Sequence, residues 1–199
     1  MEQVLGNRQR GLIFVISAPA GTGKTTLVRM LSQEFSCVVE SISYTTRPPR
    51  ATEINGRDYF FVTQAEFQRK IAADDFLEYA QVFGEYYGTS KAYVEETISQ
   101  GKHIVLVIDT QGALQLMGFL EATFIFISPP DLMELKSRLH RRRSESEEVI
   151  DRRLSWAEKE MELAKRYDYH IVNKNLDIAY QVLRAILIAE EHTNFEEKC

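Results

Sequence analysis

The sequence predicts an α/β fold in which a mostly parallel sheet is flanked by helices, and three observations carry that prediction. Apolar runs at residues 12–16, 103–108 and 123–127 have the length and composition of buried strands. Helical periodicities lie between most of the strand candidates, so strand and helix alternate along most of the 199 residues. The first run enters Ser17-Ala18-Pro19-Ala20-Gly21-Thr22-Gly23-Lys24-Thr25-Thr26, a strand, glycine-rich turn and helix start that match the phosphate-binding P-loop.

The elements follow in order. Leu27, Met30, Leu31 and Phe35 put an apolar stripe on a helix running from Lys24 to about Phe35. Residues 38–43 read as a second strand. The next stretch, Tyr44-Thr45-Thr46-Arg47-Pro48-Pro49-Arg50, is stiffened by its prolines, and residues 52–62 read as a hairpin turning at Asn55-Gly56. Thr63 and Glu66 form a capping box before a short helix carrying Phe67 and Ile71. Residues 76–83 read as a strand and 84–89 as a loop rich in Gly and Tyr. A helix with Ala92, Val94 and Ile98 stops at Gly101, and the strand at 103–108 ends in Asp109. Asp131 opens a helix with Leu132, Leu135 and Leu139 facing inward. Ser144-Glu145-Ser146-Glu147 opens a longer one, with Ile150, Leu154, Ala157, Met161 and Ala164 on one face. A last strand at 169–173 and a helix over 177–190 complete the chain. The alternation is interrupted twice, at about 43–89 and 129–157.

Composition narrows the function classes. Net charge is −5, which argues against a general nucleic-acid or anionic-membrane surface, so any phosphate ligand needs local basic clusters. Residues 1–11 are polar and lack the apolar run of a signal peptide or membrane anchor. Cys37 and Cys199 are too few for a disulfide scaffold and show no metal spacing, so a reducing cytoplasm is expected. The four histidines show no ligand spacing either, and Trp156 reads as packing.

The P-loop states its own chemistry. Gly21 and Gly23 let backbone N–H groups close around phosphate oxygens, and the helix N-terminus adds its dipole. Lys24 reaches the outer phosphates and the Thr25 hydroxyl is placed to ligate Mg²⁺. The usual motif begins with Gly where this chain has Ala18, which matters only if its φ is positive. A second phosphate site would need a basic cluster of its own. Arg47 and Arg50 supply one if the Pro48-Pro49 stretch is polyproline-like, because three residues per turn puts both guanidiniums on one side.

These segments resemble the guanylate kinases, a branch of the P-loop nucleoside-monophosphate kinases. The resemblance runs from about Gly11 to Glu190. It is carried by the Ser17–Thr25 loop, Ser43-Tyr-Thr-Thr-Arg47-Pro-Pro-Arg50, Asn55-Gly56-Arg57-Asp58-Tyr59, Tyr86-Tyr87-Gly88-Thr89, Ile108-Asp109-Thr110-Gln111-Gly112 and Pro129-Pro130 before an arginine-rich helix. It implies one domain at 11–190, with a core of 1–42, 90–128 and 158–199, a GMP-binding insert at 43–89 and a lid at 129–157. It also implies transfer of the γ-phosphoryl group of ATP to GMP, and to dGMP as well, with Mg²⁺ accompanying ATP.

The resemblance assigns roles residue by residue. Residues 18–26 (Ala18, Pro19, Ala20, Gly21, Thr22, Gly23, Lys24, Thr25, Thr26) would hold ATP, with Asn173 lining the adenine pocket. Arg47, Arg50, Tyr59 and Tyr87 would grip the GMP phosphate. Guanine offers N1–H and N2–H donors, which Glu78 would accept with Asp109 close by, while Ser43 and Thr89 donate to O6 or N7. Without the resemblance, Glu78 reads as an exposed strand carboxylate. Arg138, Arg142 and Arg153 would close over the triphosphate, whereas Arg141 and Arg143 read as solvated.

Two departures stand out. Many members carry two aspartates at the strand end where this chain has Val107-Ile108-Asp109, and Asn173 is followed by Lys174 rather than Asp. Rival readings are a regulatory GTPase, a non-catalytic guanylate-kinase-like module and a kinase for another monophosphate. Asn173-Lys174 touches the GTPase motif, but position 176 is Leu instead of Asp. The oligomer is expected to be a monomer or homodimer.

Overall fold

The computed structural model describes residues 4–141 and 146–193. A five-stranded sheet of order β2-β7-β1-β8-β9 forms the core, and every pairing in it is parallel. Its strands are β1 (Ile13–Ser17), β2 (Val38–Glu40), β7 (His103–Val107), β8 (Thr123–Ser128) and β9 (Tyr169–Val172). Alternation sends successive β1 side chains to opposite faces. Phe14 and Ile16 pack with Leu27, Val28 and Leu31 of α1 (Lys24–Glu34) and with Leu183 and Leu187 of α7 (Leu176–Glu191). Ile13 and Val15 pack with Val94 and Ile98 of α3 (Lys91–Ser99) and with Ala113 and Leu116 of α4 (Thr110–Leu116). Helices on both faces are why these strands carry no polar side.

The residues between β2 and α3 form a second sheet of order β4-β3-β6-β5. It comprises β3 (Tyr44–Thr45), β4 (Phe60–Phe61), β5 (Phe76–Val82) and β6 (Glu85–Ser90), with α2 (Gln64–Ala72) starting at the expected Thr63–Glu66 capping box. Two expectations are corrected here. Residues 52–62 are no hairpin, because β4 pairs in parallel with β3. Asn55-Gly56 does turn, but the turn closes on itself: the Gly56 amide donates to Tyr59 O, and the Asn55 side chain accepts from the Phe61 amide at 2.8 Å. Residues 85–90 are a strand, not a loop, and pair on both edges with β3 and β5. Tyr86, Tyr87 and Thr89 have the β-propensity that the glycines on either side obscured.

The third unit is helical. In it α5 (Leu132–Arg141) packs on α6 (Glu147–Glu162) through Leu135, Leu139, Ile150 and Ala157, a small core separate from the other two. The expected stripe of α6 divides: Met161 and Ala164 join the sheet instead, Ala164 lying in the 3₁₀ turn Leu163–Arg166. α6 therefore begins on the small helical core and ends on the main one. Helix α4 has no counterpart in the sequence reading, and the second strand is shorter than expected.

Candidate active site

The phosphate loop connects β1 to α1 at the carboxyl end of the central strand. Gly21 and Gly23 have φ of 93° and 96°, and Ala18 has no positive φ, so the alanine costs no strain. A Cβ on Gly23 would lie 2.8 Å from the Asn173 amide nitrogen. That amide is buried and donates to Thr22 O at 2.7 Å, bracing the loop from the start of the α7 segment. Arg138 donates to Asn173 O at 3.0 Å and to Glu134 at 2.8 Å, so α5 holds the same brace. Thr25 and Thr26 stand exposed on the first turn of α1. Lys24 points along β7, its ammonium 3.4 Å from Ile108 O. Burial lowers its pKa, against the attraction of Glu160, Asp109 and Glu40.

One cleft of about 280 Å³ joins this loop to the second sheet. Ala18, Ala20 and Lys24 line it from the loop, and Ser43, Arg50, Tyr59, Glu78 and Tyr87 line it from the 43–89 segment. Asp109 closes the floor, with Arg153, Trp156 and Glu160 of α6 above. Ten of the twenty-one site residues expected from sequence line this cleft, whereas Arg47, Thr89, Arg138, Asn173 and several residues of the phosphate loop do not. Arg142 lies outside the described residues.

The alternative of an exposed strand carboxylate is excluded for Glu78, which is only 4% exposed. Thr89 donates to its carboxylate at 2.6 Å, and a Cβ on Gly112 would come within 2.2 Å of Oε2, so Gly112 exists to admit the carboxylate. Burial pushes Glu78 up to about 7, opposed by the Thr89 hydrogen bond and reinforced by Asp109. Asp109 is the N-cap of α4 and accepts from the Gly112 amide at 2.9 Å. Such a carboxyl pair, one fixed and one poised near neutrality, suits a ligand that brings N–H donors.

Arg47 and Arg50 do share one side, and a residue the sequence reading missed holds them there. Glu53 takes Arg47 at 2.8 Å and Arg50 at 3.8 Å. Burial pushes Glu53 up, but the hydrogen bonds from Arg47 and the Arg50 amide bring it below its ordinary value. Arg47 also lies over the Tyr59 ring, 5.4 Å from its centroid, and Tyr59 and Tyr87 meet edge to face at 6.0 Å. Arg50 remains 63% exposed and lines the cleft.

Glu160 is the other missed residue. It is buried beside Thr110, whose hydroxyl is 3.4 Å away, and burial pushes it up to about 7 while Lys24 pulls it down. Arg153, Trp156 and Glu160 follow at i, i+3 and i+7, which is the only sequence signal that could have found it.

A glycine-rich phosphate loop facing a basic and acidic wall across one cleft defines a P-loop nucleotide kinase. The guanylate kinase family model matches residues 10–190. A guanylate kinase of Protochlamydia amoebophila is 60% identical over 94% of this chain and 95% of its own length. Another, of Koribacter versatilis, is 52% identical over 90% of this chain and 79% of its own. The crystal structure of guanylate kinase from Anaplasma phagocytophilum is 34% identical, covers 93% of this chain and 88% of its own, and superposes with a TM-score of 0.77. The chain belongs to the guanylate kinase family. Among the described residues no helix is long and apolar enough to cross a membrane.

Proposed function

We propose that this chain transfers the γ-phosphoryl group of ATP to GMP, giving ADP and GDP. A single observation supports the reading best: Lys24 of the phosphate loop and Arg50 and Glu78 of the 43–89 segment line one cleft. The attacking group is a GMP phosphate oxygen, anionic near pH 7 because the second pKa of a phosphate monoester is about 6. No strong general base is then required. The chain has to bring two anions into line and neutralise their repulsion.

In this reading residues 18–26 cradle the ATP phosphates, Lys24 neutralises the transferring group, and Asn173 keeps the loop in shape at the adenine end. Arg47, Arg50, Tyr59 and Tyr87 take the GMP phosphate. Glu53 is displaced from Arg47 and Arg50 as that phosphate arrives. Ionised Glu78 accepts from guanine N1–H and N2–H, with Asp109 beside it, and Ser43 and Thr89 donate to O6 or N7, Thr89 turning its hydroxyl away from Glu78 to do so. Arg138, Arg142 and Arg153 come from the lid at 129–157, and the acceptor insert at 43–89 closes against the core, excluding water. The hydroxyl of Thr25 and the carboxylate of Asp109 are hard oxygen donors of the kind Mg²⁺ prefers. Among the described residues no three His, Cys, Asp or Glu gather into a metal cage, so the ion would be held chiefly by nucleotide phosphates and water. Bound there, it would supply charge neutralisation of the transferring phosphoryl group. A cytoplasmic monomer or homodimer acting on free nucleotides completes the reading.

A coupled assay of ADP release over a panel of monophosphates tests it. With ATP and Mg²⁺, GMP and dGMP should turn over and AMP, CMP and UMP should not; turnover of AMP at the GMP rate would overturn the assignment.

A further inference from the structure

The turn from β5 to β6 adopts a conformation its residues do not favour. Val82 pairs with Glu85 across a two-residue loop, Phe83-Gly84, in which both φ are positive, at 52° and 91°. That is the φ pattern of a type I′ turn, which favours Asn or Asp first and Gly second. Among the described residues only Asp74 and Phe83 are non-glycine residues with positive φ. An aromatic side chain in that backbone region is strained, and its ring is 53% exposed, so packing inside its own sheet does not account for it.

The ring instead meets Trp156, centroid to centroid at 6.0 Å and 55°. Trp156 is itself 38% exposed. Phe83 belongs to the acceptor sheet and Trp156 to α6, and both line the cleft. Trp156 stands one helical turn from Arg153 on the same face, so whatever fixes Trp156 fixes the rotation of the helix that presents Arg153. Strain kept where a commoner residue would remove it is typical of functional contacts.

We propose that Phe83 and Trp156 form an aromatic clasp that docks α6 on the β5–β6 turn and thereby holds Arg153 over the transferring phosphate. The proposal rests on the reading of Arg153 as a phosphate-contacting residue. Both rings are positioning residues: they act through Arg153 and touch no reacting atom.

Because Asn suits the turn, Phe83→Asn removes the ring while leaving the fold at least as stable, which separates function from folding. Its urea midpoint should equal or exceed that of the parent. Phe83→Asn and Trp156→Ala should each lower kcat about five- to tenfold, with both KM values within about twofold. The double variant should be no slower than the slower single, since one contact can be lost only once. Trp156→Phe should recover most of what Trp156→Ala loses. Trp156 is the only tryptophan of the chain, so its emission reports the clasp directly and should shift to the red in Phe83→Asn. Parental kcat in Phe83→Asn and Trp156→Ala, with Arg153→Ala impaired, would overturn the clasp alone. Parental kcat in Arg153→Ala would overturn the underlying reading as well. Losses that multiply in the double variant would also rule the clasp out.

Discussion

The two walls of the cleft are built by opposite strategies. The wall proposed for the phosphoryl donor belongs to a run of ten consecutive residues, and what it would offer a ligand is mostly backbone: amide groups freed by Gly21 and Gly23 at a helix start. The wall proposed for the acceptor is gathered from Ser43 after β2, Arg50 in a loop, Glu78 on β5 and Tyr87 on β6, with Asp109 after β7 on the floor. It offers side chains, several of them held in costly states. Glu78 is buried with its proton near neutrality, Phe83 has positive φ, and Glu53 occupies the arginines. Backbone chemistry is the same for every nucleotide triphosphate, so the donor wall can be rigid and local. In the proposed reading, recognition of one base needs placed side chains, and that requirement would concentrate strain on the acceptor side.

Lys24→Ala should break the donor wall alone. The expected loss is about 10²–10³-fold in kcat, the scale of removing one preorganised charge contact, with GMP binding measured by calorimetry unchanged. A comparable loss of GMP binding would mean that the two walls are one site.

Glu78→Gln should break the acceptor wall, raising the KM for GMP about 10²-fold with that for ATP within about twofold. It should also stabilise the ligand-free protein. Glu78 has a folded pKa raised from 4.5 to about 7, so its contribution is complete in acid and lost as pH rises through that interval. The deficit above pH 8 is up to about 3 kcal/mol. Urea unfolding should therefore give Glu78→Gln the higher midpoint at pH 8 and a shrinking advantage towards pH 5. A variant that is less stable at pH 8 would show that the carboxylate is not a cost of recognition.

A distant network serves as the control. Leu12 N–H donates to His103 Nδ1 at 3.0 Å, so Nε2 carries the proton and donates to Glu191 at 2.5 Å. Glu191 also accepts from the Gly6 and Asn7 amides, tying the N-terminal segment to α7. Burial pushes Glu191 up, yet these hydrogen bonds hold it below its ordinary value; burial lowers His103 against the pull of Glu191. Both depressed groups stabilise the fold above their ordinary values and lose that contribution as pH falls through the folded ones. Glu191→Gln should cost about 1–3 kcal/mol in unfolding at pH 7, lessen the acid sensitivity, and leave both KM values alone. A changed KM would couple the network to the cleft.

Legibility followed the same division. The phosphate loop, β1 and α1 could be read directly because ten adjacent residues contain the whole geometry. Arg47 and Arg50 were readable as a pair through the prolines between them, but Glu53 was not, since a lone glutamate has no spacing to betray it. Burial of Glu78 depends on Gly112, thirty-four positions away in sequence, and no local pattern encodes that approach. Helix α4 escaped because its N-cap Asp109 and Gly112 look like the end of a strand and a turn. The hairpin expected at 52–62 was a local signal overruled by the parallel pairing of β4 with β3.

The central claim is that the two walls face each other at a separation one phosphoryl transfer can span. Calorimetric titration with adenosine and guanosine joined through a polyphosphate tests it most directly. One molecule should bind per chain, at least about 10²-fold more tightly than ATP or GMP alone, because the second contact becomes intramolecular. Lys24→Ala and Glu78→Gln should each remove most of that gain. Binding no tighter than ATP alone, or insensitive to Glu78→Gln, would contradict the account.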